Sequence, residues 1–175
     1  MKRIFVIALI TVFALSACKK NDGPKLSGTE TIDNTLSKTE PYWAMGFSFP
    51  LAKKVSTLSS PLDVITINAF PGNFDKPYFD AQNFEYSFFL FGSYSDGTSA
   101  SLAFKNLTSF SVTQWNATGD AVKPNQIWLF KASSGTYSKF LIKSTVGEMR
   151  NNIPFVSSTF EWVYQPDGSL TFPGK

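Results

Sequence analysis

The chain has 175 residues, 43% of them hydrophobic, with 16 basic and 13 acidic side chains and a net charge of +3. It holds one cysteine and no histidine. An internal disulfide, His-based catalytic triads, His general bases, His-bound zinc and His-ligated haem are therefore excluded, and the charge is too small to argue for a nucleic-acid partner.

Residues 1–17 read as a bacterial export signal. Lys2 and Arg3 form a basic start, and Ile4 to Leu15 is an apolar run broken only by Thr11. The run is too short for a transmembrane span, which takes about 20 apolar residues. Leu15-Ser16-Ala17-Cys18 fits the lipobox of lipoprotein signals. The implied chemistry is thioether lipidation of the Cys18 sulfur, cleavage before Cys18 and acylation (palmitate, for example) of the new amine. Two or more acyl chains hold a protein stably on a membrane. Lipidation also withdraws Cys18 from nucleophilic and metal chemistry. Lys2 and Arg3 depart with the signal, so residues 18–175 keep 14 basic and 13 acidic groups, net +1.

Residues 18–40 read as the lipidated cysteine and a flexible linker. Leu26, Ile32 and Leu36 are its only large apolar side chains, too few to offset the entropy of ordering the segment. Lys19, not Asp, follows Cys18. This is similar to the pattern of Gram-negative lipoproteins sorted to the outer membrane, so a lipid-anchored protein of that membrane, exposed at the cell surface, is the expectation.

Residues 41–175 form the predicted domain, long enough for one core of ordinary size. All four Trp, all six Tyr and sixteen of the eighteen Phe follow Cys18, and aromatic residues favour strands. Strands are predicted at Tyr42 to Phe49, Lys54 to Leu58 and Leu62 to Phe70, with Phe74 to Asn83 irregular around Pro77. Phe84 to Phe91 has aromatic residues on both faces and reads as a central, doubly covered strand. Asp96-Gly97 reads as a tight turn into a strand at Ala100 to Phe104, followed by Thr108 to Trp115.

The last third has the clearest pattern. Ile127 to Ala132 and Tyr137 to Ser144 flank a Ser133-Ser134-Gly135 turn. Thr159 to Gln165 sets Phe160, Trp162 and Tyr164 on one face, and Pro166-Asp167-Gly168 turns the chain towards Leu170 and Phe172. Thr145 to Pro154 reads as a polar insertion between the hairpins. Short strands at roughly 8–12-residue spacing predict an all-β fold, a single antiparallel β-sandwich or twisted sheet.

The usual catalytic motifs are absent: no G-x-S-x-G, no phosphate-binding glycine loop and no calcium loop. Asp75 with Asp80, and Glu148 with Glu161, are the carboxylate pairs to weigh for glycoside cleavage. Two features point to binding instead. Trp43, Trp115, Trp128 and Trp162 could line a pocket or stack on sugars or a porphyrin, or fill a β-core. Met45 and Met149 carry thioethers, which ligate haem iron in other settings or fill gaps in cores; Met149 falls in the polar insertion.

Ile127–Ser144 (IWLFKASSGTYSKFLIKS) and Thr159–Phe172 (TFEWVYQPDGSLTF) resemble the terminal hairpins of HmuY-like haem-binding lipoproteins of Gram-negative anaerobes. Phe47-Ser48-Phe49 and Leu62-Asp63-Val64-Ile65 are similar to a further, weaker stretch of that family. The resemblance implies a twisted all-β domain at the cell surface, haem as cofactor and an outer-membrane transporter as partner. With no histidine, axial ligation would come from Met149, Met45 or a Tyr. A glycan- or peptide-binding lipoprotein, or a structural lipoprotein with no small ligand, is the alternative; an enzyme is the least favoured class.

Overall fold

The computed structural model describes residues 24–36, 43–58, 63–70, 72–82 and 86–173. The predicted signal and Cys18 lie outside them. The domain is an all-β sandwich. Among the described residues, ten strands run in order β1 (Ser27–Asp33), β2 (Met45–Ser48), β3 (Lys53–Ser56), β4 (Ile65–Asn68), β5 (Tyr78–Ala81), β6 (Phe88–Ser93), β7 (Thr118–Gly119), β8 (Gln126–Lys131), β9 (Tyr137–Arg150) and β10 (Ile153–Gln165), with helix α1 (Gly97–Asn106) between β6 and β7. One sheet has the order β1-β10-β9-β8-β6, the other β3-β2-β4-β5-β7, and all pairings are antiparallel.

Aromatic rings fill the space between the sheets. Phe47, Phe49, Phe79, Phe88, Phe130, Phe140, Phe160 and Trp162 are buried there, in edge-on and tilted contacts with centroids 5.2–6.4 Å apart. Such pairs add to the burial of apolar area. Phe160, Trp162 and Tyr164 point into this core, as their alternation predicts. A second cluster covers the outer face of the first sheet. Ala100 and Phe104 of α1, with Leu107, Phe110 and Phe172, pack on Ile127, Leu129, Leu141 and Val163. The first sheet is thus buried on both faces, which explains why strand β8 reads as a nearly continuous apolar run.

Several expectations are corrected. The predicted linker is shorter than residues 18–40, because Ser27–Asp33 forms an edge strand on β10 and Ile32 is fully buried. The strand predicted at Ala100 to Phe104 is helix. The Asp96 side chain caps it, accepting from the backbone N–H groups of Thr98 and Ser99 at 2.9 Å each. Phe88–Ser93 is at the sheet edge, not central. Thr108 to Trp115 is irregular apart from a bridge between Ser109 and Thr171. Tyr78–Ala81 and Thr118–Gly119 are strands that carried no clear signal.

The largest correction is the polar insertion at Thr145 to Pro154. It is the far half of a long hairpin. Strand β9 runs on to Arg150 and β10 starts at Ile153, joined by Asn151 and Asn152 at φ 49° and 63°. Positive φ at both central residues is what a two-residue type I′ turn demands, and Asn tolerates it. Strand β8 pairs with β9 only over Tyr137–Leu141, and β1 with β10 only over Ser157–Val163, so the hairpin beyond Gly147 and Val156 projects from the sheet as an arm. Its base is held at Gly147, where an added Cβ would overlap the carbonyl oxygen of Phe74.

The helix cap makes stability depend on pH. Hydrogen bonds from Ser99, backbone first and then side chain, hold the Asp96 carboxyl below its ordinary range. The ionised carboxylate therefore stabilises the fold above the unfolded-state pKa, and this contribution is lost as pH falls through the lowered folded-state pKa. Asp96→Ala is expected to lower the unfolding midpoint at neutral pH. The gap between variant and parent should narrow at about pH 2.5, as read from urea melts at both pH values.

Candidate functional site

Strand β1 enters the sheet at Ser27, opposite Val163, and ends at Asp33, opposite Ser157. Strand β10 extends past that end, back to Ile153. Asn34 fastens the chain where it leaves: its N–H donates to Val156 O at 3.1 Å, its Oδ1 accepts from Val156 N at 2.9 Å, and its Nδ2 donates to Pro154 O at 3.0 Å. The chain then crosses to the second sheet, where Leu36 bridges Ala44 just before β2. A groove opens in the angle between this crossing and the projecting arm.

The groove measures about 570 Å³ and is walled by Leu36, Ala69, Ile153, Pro154 and Phe155, with Arg150 at its rim. That volume is in the range of small-molecule sites. Leu36 and Ile153 are 55% and 68% exposed and line the same groove, so their exposed apolar surface falls in one place. The Arg150 guanidinium carbon lies over the Phe155 ring, 3.3 Å from its centroid, and Arg150 Nε donates to Glu148 Oε1 at 2.6 Å. The ion pair is solvent-exposed and adds little stability, but it orients the guanidinium over the ring. A second, smaller groove of about 320 Å³ adjoins the first across Thr35 and Leu36, and is lined by Asp33, Trp43, Met45 and Lys54.

The predicted site residues separate. Met45 sits on β2, 39% exposed, in the smaller groove. Met149 sits on β9, opposite Pro154, and lines neither groove. The two thioethers belong to different sheets and share neither groove, so the grooves do not offer a paired axial ligand set. Of the tryptophans, Trp128 and Trp162 are core residues at 2% and 1% exposure. Trp115 stacks on Tyr137 beside the second cluster, with Lys131 Nζ 5.3 Å from its ring, and Trp43 lines the smaller groove. Glu148 lies opposite Phe155 on the arm, six residues along β10 from Glu161. That is about 20 Å, too far for a carboxylate pair in glycoside cleavage. Among the described residues no group of three or more His, Cys, Asp or Glu could hold a metal ion.

Leu36, Ile153 and Phe155 carry no binding-site signal in the sequence. Leu36 sits in a segment polar enough to read as linker, and Ile153 in one polar enough to read as loop. The available signal was Asn151-Asn152, a turn pair between two extended stretches. No protein-family model matches the chain, and no curated protein matches it in sequence.

Proposed function

We propose that this chain is a lipid-anchored binding protein of the outer membrane that holds a flat, apolar, anionic small molecule of the porphyrin class in the groove beside Leu36. The observation that carries this reading is the groove itself: exposed aliphatic and aromatic walls with a guanidinium laid over one of them. Apolar walls would cover the macrocycle by hydrophobic burial, and Arg150, with Lys54 across the smaller groove, would meet its carboxylates. The resemblance of the two C-terminal hairpins to HmuY-like lipoproteins supports a porphyrin over other amphiphiles. Position supports capture away from the membrane. The anchor at Cys18 would lead into Ser27, and the groove lies a full strand length beyond, about 23 Å for seven residues.

The residues fit burial of the macrocycle better than axial ligation of its iron, since Met45 and Met149 are not brought into one groove. Haemin and protoporphyrin IX are therefore expected to bind residues 19–175 with similar affinity, about 1–10 µM, read from the Soret band. Ile153→Asp should weaken both about tenfold or more and leave the thermal midpoint unchanged, because its side chain is exposed. No Soret change with either porphyrin at about 50 µM protein would end the porphyrin reading. The anchor is tested separately, in cells that express the full chain: Cys18→Ala should abolish incorporation of labelled palmitate, and equal labelling of both chains would refute lipidation.

A further inference from the structure

We propose that the hollow between Phe70, Tyr78 and Asp120 is a saccharide subsite, one that shares no lining residue with the two grooves around Leu36. It measures about 260 Å³, enough for a single sugar ring, and is lined by Phe70, Asn73, Lys76, Tyr78, Asp120 and Ala121.

Its floor is an aromatic platform. Phe70 stacks on Tyr78 with centroids 4.4 Å apart and planes 21° from parallel. Tyr78 packs on the Phe70 ring, yet Phe70 stays 51% exposed, so the ring keeps surface open to a ligand. The platform is supported from behind. Tyr78 lies on β5 opposite Asn68, and Phe70 follows two residues after that strand partner. Asn73 N–H donates to Phe70 O at 2.9 Å and Lys76 N–H to Asn73 O at 3.0 Å, closing the turn that places both rim residues. Gly72 at φ 79° supplies the left-handed step the turn requires.

The rim chemistry selects the ligand class. Asp120 opposes an anion, Lys76 opposes a cation, and a purely apolar partner would strip water from both without replacement. A neutral polyol with one apolar face satisfies all of them. The C–H face of a pyranose lies on an aromatic ring, while its hydroxyls donate to a carboxylate and accept from an ammonium, an amide and a phenol. Thr118 Oγ1 donates to Asp120 Oδ1 at 2.6 Å and orients the carboxylate. Burial first, then the carboxylates of Asp80 and Asp120, push the Tyr78 phenol above its ordinary range, so it keeps its proton as a donor.

The test uses the full lipidated chain in a detergent without a sugar headgroup. Maltohexaose, cellohexaose, xylohexaose, mannohexaose and chitohexaose are titrated by calorimetry, with saturation-transfer NMR to identify the protons in contact. At least one hexaose is expected to bind with a Kd between about 10 µM and 1 mM. Phe70→Ala should weaken it about tenfold or more and Phe70→Trp should retain it, both with unchanged thermal midpoints and unchanged porphyrin titrations. Absence of saturable binding by all five at about 5 mM overturns the proposal, as does a Phe70→Ala variant that binds like the parent.

Discussion

Trp162→Ala is expected to lower the free energy of unfolding by about 3–5 kcal/mol, the range for deleting a fully buried large aromatic side chain. Trp162 is 1% exposed and lies near the C-terminal end of β10, opposite Gly28 on one side and Phe140 on the other. Its indole packs against two rings of the inner core, with centroids 5.2 Å from Phe47 and 6.0 Å from Phe49. It is also the surface on which β1 rests. A Cβ at Gly28 would come within 3.3 Å of the indole, and Lys25 Nζ sits 6.0 Å from its centroid. Truncation would leave a void lined by stiff rings that cannot collapse into it, so the cost belongs at the upper end. Urea unfolding of parent, Trp162→Phe and Trp162→Ala measures it, and Phe should recover most of the loss. A loss below about 1 kcal/mol for Ala would mean that the side chain is not core.

Lys139→Ala should cost a similar amount, about 3–5 kcal/mol, for a different reason. Lys139 is 4% exposed, under α1, on the face of β9 that carries Leu141. Its Nζ donates to Phe104 O and Leu107 O, both at 2.7 Å, and lies 4.7 Å from the Phe104 ring centroid and 5.2 Å from that of Phe172. The carbonyls at a helix C-terminus have no partners in the helix and carry its negative end, so a buried ammonium there completes α1. Lys139→Met separates the two contributions. It keeps the apolar stem and removes the donors, leaving two buried carbonyls unsatisfied at about 1–3 kcal/mol each. A Lys139→Met variant as stable as the parent would show that the stem alone matters.

Other buried polar groups fasten turns and loops to the sheets. Asp63, at φ 70° and 5% exposed, accepts from Ser133 N and Ser133 Oγ at 2.8 Å each, tying the β8–β9 turn to the segment before β4. Gln126 Oε1 accepts from Trp128 Nε1 at 3.1 Å and from Lys123 N at 2.8 Å. Gln165 Nε2 donates to Ser169 Oγ at 2.9 Å and to Thr171 O, closing the loop after β10. Each sits where the sequence shows only a polar residue beside an apolar run, and only the partner reveals the role.

The all-β character and the inner face of the last strand are legible in the sequence. Alternation with a period of two is a local property, and at Phe160, Trp162 and Tyr164 the aromatic side chains mark the buried face whatever lies across from them. Asp96-Gly97 shows where local reading stops. Asp before Gly suits a hairpin turn and a helix cap equally, and the choice went to helix because Ala100, Phe104 and Leu107 recur at helical spacing over the apolar outer face of β8, β9 and β10. Tertiary structure alone decided that Ile32 is core and that its polar neighbours form a strand. A segment with one buried side chain has no strand signal of its own and is ordered by the open edge of β10. The groove arises the same way. It exists because β1 leaves the sheet at Asp33 while β10 continues to Ile153, and the relative ends of two strands more than 120 residues apart are set by register, which no stretch of neighbouring residues encodes.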